Sequence, residues 1–154
     1  MPTQTQWPHD DTVSKTKFFG KPGTNLVQIT PPFQMYYDKH PIAKITVNKM
    51  VASSLLRVFG EILDKCGHDQ KKVDAIGASV FGGCYNERPI RGSKNISNHS
   101  FACAIDIDPE NNKLGAKVGS MSPIVINAFK AEGWLWGGDY KGRKDWMHFE
   151  AVSR

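Results

Sequence analysis

The sequence predicts an α+β fold in a single compact domain, and three observations carry that prediction. Two segments place apolar residues at helical spacing, and five short segments read as strands. The two kinds of segment do not alternate in the regular order that a doubly wound parallel sheet requires. At 154 residues, 40% of them hydrophobic, the chain is long enough for one well-buried core and too short for two ordinary domains.

Residues 1–25 are polar, with Gly20, Pro22 and Gly23 near their end, and are expected to form an irregular amino-terminal arm. The folding domain is expected over 26–154. LVQIT (26–30) and AKITVN (43–48) read as strands, with Pro31, Pro32 and Pro41 marking an irregular stretch between them. Asn48 can cap a helix running to about Lys65. Val51, Leu55, Val58, Phe59 and Ile62 recur along it at helical spacing, and Gly67 suits the left-handed residue beyond its end. DAIGASVFGG (74–83) is expected as a strand entering a Gly-rich turn. ACAIDID (102–108) is expected as a strand in which small apolar and acidic residues alternate. A second helix is signalled by Ser122 as cap, Pro123 at the first position, Ile124, Val125, Ala128 and Phe129 inside, and Gly133 at the stop. WMHFEAV closes the chain as a strand. The expected result is a small antiparallel sheet with flanking helices, without repeats or an interdomain linker.

No apolar run approaches the ~20 residues of a membrane span. The start, MPTQTQWPHDD, lacks the basic and apolar regions of a secretory signal, so the product is expected to be made in the cytoplasm. Cys66, Cys84 and Cys103 are odd in number, widely spaced and without a C-x-x-C pair. That argues against a disulfide framework and a thiolate zinc finger. A net charge of +5 and a pI near 9.1 favour polyanionic partners. The basic residues are scattered through Lys15, Lys17, Lys21, Lys71, Lys72, Lys141, Arg143 and Lys144, with no nucleic-acid motif. Nucleic acid and an anionic bacterial wall are both partners of that kind, and charge alone does not choose between them.

Four residues carry the chemistry: His99 and Asp106 in SNHSFACAID, and Asp145 and His148 in DWMHFE. They offer three zinc ligands and a carboxylate, the parts of a hydrolytic metal site with an open position and a nearby base. On a strand Asp106 and Asp108 share a face. Asp106 is the better ligand because small apolar residues enclose it, and an unpaired carboxylate there would be costly. Asp108 is expected at solvent or capping the turn that follows. His148 lies between Met147 and Phe149, where an imidazole needs a partner. Asp145 precedes it by three and is expected just before the strand, where a bend can aim both at one point. Glu150, on the same strand face as His148, competes with Asp145 as the base. Trp136 and Tyr140 are candidates to line a groove with Trp134, although both tryptophans suit a core.

Ser97-x-His99, six further residues and Asp106, followed far downstream by Asp145-x-x-His148, resembles the zinc D,D-carboxypeptidase and L-alanyl-D-glutamate peptidase group. FGGCYNERPIRGSKNISNHSFACAIDIDPENN, with the closing GW and DWMHFE, is particularly similar to the small bacteriophage endolysins of that group. The likeness covers about residues 26–150. It implies a Hedgehog/D,D-peptidase-like catalytic domain with one Zn2+ per chain, held by His99, Asp106 and His148, and with Asp145 as general base. It implies that Arg91, or Arg88, steadies the substrate carbonyl and that Ser97 supports the site. The implied substrate is bacterial peptidoglycan, cut in its stem peptide at L-Ala–D-Glu. The alternatives are D-Ala–D-Ala and a non-catalytic, zinc-stabilised wall-binding module. A monomer acting on the wall in the periplasm, released by a separate pore-forming partner, completes the implied picture. The family has Gly three residues after the first histidine, whereas this chain has Ala102, which puts the shape of the pocket in question. Asp108, Glu110 and Asn112 lie close enough in sequence for a weak oxygen site, and a solvated turn is the simpler expectation.

Overall fold

Apolar periodicity and caps place the two longest helices. In the computed structural model, which describes residues 7–86 and 96–154, helix α2 spans Lys49–Lys65, and Asn48 accepts the Met50 N–H through its side chain. Its face of Val51, Leu55, Val58, Phe59 and Ile62 is fully buried, each residue contributing about 1.5–3 kcal/mol of transfer free energy. Helix α4, Pro123–Ala131, has Ser122 as cap and proline at its start, and packs Val125, Ala128 and Phe129 into the same core. Phe129 stacks on Phe149 with centroids 4.0 Å apart, which ties this helix to the strand that carries His148.

Two further helices occur among the described residues. Helix α1, Thr12–Phe19, lies within the segment expected to be an irregular arm. Asp11 caps it, accepting the Ser14 N–H at 2.7 Å, and it buries Phe19 and Lys15. Helix α3, Gln70–Ala75, is capped by Asp69 and buries only Val73.

Strands β1 (Leu26–Ile29) and β4 (Ile45–Asn48) pair antiparallel, in register from Leu26 opposite Asn48 to Ile29 opposite Ile45. The stretch between them, expected to be irregular, contains a hairpin of β2 (Met35–Tyr37) and β3 (His40–Ile42). Its turn residues Asp38 and Lys39 both have positive φ, 50° and 67°, the backbone that matches the strand twist of a two-residue hairpin. A four-stranded antiparallel sheet has the order β5-β6-β8-β7, from Phe81–Gly83, Ala104–Ile107, His148–Glu150 and Leu135–Trp136. The strand expected over 74–83 is thus reduced to its last three residues, because its first part ends α3 and enters a turn. The alternation expected through Asp108 stops at Ile107, because Asp108 adopts a left-handed conformation. No helix among the described residues is long and apolar enough to cross a membrane. The architecture is α+β, with short antiparallel sheets and four α-helices among the described residues.

Candidate metal centre

The register of the four-stranded sheet sets Asp106 of β6 directly opposite His148 of β8, so the two side chains leave the same face. His148 Nδ1 lies 3.2 Å from Asp106 Oδ1. His99 reaches the other carboxylate oxygen from a 3-10 turn over Asn98–Phe101, with Nε2 at 3.3 Å from Asp106 Oδ2. Ser97 caps that turn by accepting the His99 N–H at 3.1 Å. One ligand atom from each of His99, Asp106 and His148 can be chosen so that all three lie within 4.8 Å of one another. Four oxygen or nitrogen ligands at about 2.0–2.1 Å around zinc stand about 3.3 Å apart in a tetrahedron. The two contacts to Asp106, at 3.2 and 3.3 Å to its two oxygens, are close to that spacing.

The far nitrogen of each imidazole is engaged. His99 Nδ1 lies 2.8 Å from the Cys84 carbonyl oxygen, which only accepts, so Nδ1 carries a hydrogen and Nε2 is the nitrogen that faces Asp106. His148 Nε2 lies 2.9 Å from Glu150 Oε1, which leaves Nδ1 facing Asp106. Such outer partners are what orient metal-binding histidines.

Asp145 stands just before β8, and its Oδ2 is 3.8 Å from His148 Nδ1, beyond hydrogen-bond reach. Glu150 occupies the opposite side of the same ring. Its Oε1 also accepts from Asn98 Nδ2 at 2.9 Å, its Oε2 accepts from Arg154 Nη2 at 2.6 Å, and the residue is 2% exposed. The two carboxylates that competed for the role of base are therefore separated, and only Asp145 faces the ligand atoms.

Charge follows from these contacts. Burial acts to raise the Asp106 pKa, but hydrogen bonds from His148 and His99 outweigh it and hold the carboxyl well below its usual range. Burial likewise works against a charged His148, yet Asp106 and Glu150 keep its pKa well above the ordinary histidine value. Glu150, although buried, is drawn down to about 2 chiefly by His148. Asp145 moves the other way, raised by burial that His148 only partly offsets.

These residues line a cavity of about 460 Å³, to which Ser97, Tyr140 and Arg143 also contribute. Four carboxylates line it, from Asp10, Asp106, Asp145 and Glu150, against two guanidiniums, from Arg143 and Arg154. With neutral imidazoles the lining has a formal charge of −2. The donors and the charge fit one divalent cation. An adjoining cavity of about 600 Å³ shares Tyr140, Arg143 and Arg154 with the first and is walled by Trp136. Trp134 belongs to the core, donating Nε1–H to Ser54 Oγ at 3.0 Å.

Arg88 and Arg91 lie outside the described residues. Asp108, expected at solvent or as a cap, is only 8% exposed and accepts from Asn111 Nδ2 at 3.0 Å. Asn112 is fully buried and spends its side chain on Asp108 O and the Ser120 N–H. All three cysteines are free and buried. Ala102 is fully buried with φ 56° and ψ 33°, and it does not line the cavity. The site residues that sequence reasoning missed are Asn98, Asp10 and Arg154. They reach the cavity from three separate segments, and no local pattern marks them.

No solved structure matches the chain. Residues 91–151 match the family model described as D-alanyl-D-alanine carboxypeptidase, and this supports a metallopeptidase acting on peptidoglycan. The matched stretch holds His99, Asp106, Asp145 and His148, so in this part the chain is similar to the D-alanyl-D-alanine carboxypeptidase family.

Proposed function

We propose that the protein is a zinc endopeptidase of the bacteriophage endolysin type, with a Hedgehog/D,D-peptidase-like domain that cuts the L-Ala–D-Glu bond of peptidoglycan stem peptides. The observation that carries this reading is the single cavity in which His99, Asp106 and His148 converge while the Asp145 carboxylate faces them, 3.8 Å from His148 Nδ1 and beyond hydrogen-bond reach. The continuation of that cavity past Tyr140 and Arg143 offers room for chain on a further side of the bond, as an internal cut requires.

His99 Nε2, an Asp106 oxygen and His148 Nδ1 are the proposed ligands. Zinc held there would supply the positive charge that acidifies a water and polarises the scissile carbonyl. Asp145 takes the proton of the attacking water and returns it to the leaving amine. Its pKa, raised by burial, brings it closer to the value that suits a base working near neutral pH. Arg91, or Arg88, is proposed to face the developing oxyanion, where a fixed cation acts strongly because water is partly excluded. Ser97 fixes the turn that presents His99. Lysis of a host would then require passage from the cytoplasm through a separate pore.

The family description favours a second reading, release of the terminal D-Ala by a D-Ala–D-Ala carboxypeptidase. Mass spectrometry of Gram-negative peptidoglycan incubated with zinc-loaded protein, with a chelated control, separates the two. New D-Glu amino termini that need zinc support the endopeptidase, and free D-Ala supports the carboxypeptidase. An unchanged digest would leave a zinc-stabilised wall-binding module in their place.

A further inference from the structure

Lys15 of α1 is a buried lysine, 4% exposed, far in sequence from the proposed ligands and base. Its Nζ donates to Asn98 Oδ1 at 2.7 Å and to Asp10 Oδ1 at 2.9 Å. An ammonium only donates and a carboxylate only accepts. The Asn98 amide between Lys15 and Glu150 therefore has one orientation that satisfies both neighbours, with oxygen to Lys15 and nitrogen to Glu150. Glu150 then accepts from Asn98 Nδ2 and from His148 Nε2, each at 2.9 Å, on the same oxygen. Its other oxygen is held by Arg154 Nη2 at 2.6 Å, and Arg154 is itself fixed to Asp10 Oδ2 at 2.8 Å. Asp10 and Lys15 thus anchor both oxygens of Glu150 from the amino-terminal segment.

We propose that Lys15 is a positioning residue for His148: through Asn98 and Glu150 it holds the imidazole with Nε2–H turned away from Asp106 and Nδ1 presented as a metal ligand. This rests on the zinc-site reading above. It makes the amino-terminal segment a working part of the site, because Lys15 of α1 holds the Asn98 oxygen while Asp10 Oδ1, at 3.3 Å, and Glu150 accept from its nitrogen. Loss of that donor leaves the Asn98 oxygen buried without its cationic partner, so the amide no longer has a fixed place from which to donate to Glu150. Glu150 and the ring it holds are then free to shift.

The test is zinc affinity, measured by competition with a chromophoric chelator, in the full chain and in Lys15→Met and Lys15→Arg. Lys15→Met is expected to weaken zinc binding about tenfold, the lower end of what outer-sphere substitutions cost, and Lys15→Arg to recover most of it. Equal affinity in all three would overturn the proposal while leaving the zinc site intact. No zinc uptake by the unaltered protein would overturn the zinc-site reading, and this inference with it. Should Lys15→Met not fold, 15N chemical shifts of His148 in the unaltered zinc-loaded protein decide. A metal-bound Nδ1 with protonated Nε2 supports the proposal, and binding through Nε2 overturns it.

Discussion

Gly137 lies directly against the backbone of Asp145. Its carbonyl accepts the Asp145 N–H at 3.0 Å, and a Cβ at position 137 would overlap the Asp145 carbonyl oxygen and crowd its Cβ. The glycine therefore sets how closely the 3-10 turn at Gly137–Asp139 approaches the residue proposed as base. Gly137→Ala is expected to push Asp145 out of line and to lower turnover of wall peptides about 100-fold, since misplacements of about 1 Å cost that much. Zinc affinity should stay within about threefold, because the ligands themselves sit on β6, β8 and the turn before β6. Paired kcat and chelator-competition measurements check both halves.

The base itself gives a sharper separation. Asp145→Ala should keep zinc and lose about 10²–10⁴-fold in kcat, the range that a positioned proton acceptor contributes. Glu150→Ala should instead weaken zinc, since Glu150 contacts His148 on the side away from Asp106. Full activity in Asp145→Ala would remove Asp145 from the mechanism.

What the chain made legible was local. Helices α2 and α4 announce themselves through apolar spacing and through Asn48 and Ser122, all within one segment. Helix α3 buries a single apolar residue, Val73, so it has no periodicity to read. The β2–β3 hairpin turns on Asp38 and Lys39 in place of the Gly or Asn that usually mark such a turn, and it carries Pro41 inside a strand. Residue types and chain order brought His99, Asp106, Asp145 and His148 into one hypothesis. The pairing of Asp106 with His148 across two strands is a matter of register, which sequence does not display. The burial of Lys15 is less legible still, because its partners Asp10 and Asn98 lie in different segments and its neighbours read as a polar arm.

Zinc loading should depend on pH with a definite sign. Without metal, His148 holds its proton above the ordinary value of 6.5, because Asp106 and Glu150 outweigh the effect of burial. That proton stabilises the metal-free fold below the unfolded-state pKa, and the contribution is lost as pH rises through the higher folded-state pKa. Zinc must displace it, so apparent affinity is expected to rise about tenfold per pH unit until the folded-state pKa is passed. The thermal shift given by zinc should widen over the same range, reaching about 2.7 kcal/mol of added stability when free zinc is 100 times its Kd. Titrations by calorimetry at several pH values read the slope directly, and a flat profile would mean that His148 is not a ligand.

The resemblance puts a glycine where this chain has Ala102, and the backbone at that position is one that suits glycine. With φ at 56° the residue closes the turn that holds His99, donating its N–H to His99 O at 3.0 Å and accepting from Asn48 N–H at 3.0 Å. An L-residue in this conformation costs about 1–2 kcal/mol relative to glycine. Its buried methyl returns about 0.8 kcal/mol of transfer free energy, and the less flexible unfolded chain returns about 0.4–1 kcal/mol. Ala102→Gly is thus expected to change stability by less than about 1 kcal/mol in urea unfolding and to leave kcat and KM unaltered, because the methyl lies in the core and not in the cavity. Ala102→Val should cost more than about 2 kcal/mol, since a branched side chain is poorly accommodated at positive φ and the core has no slack for it. A gain in turnover for Ala102→Gly at unchanged stability would instead put the methyl in the path of the substrate.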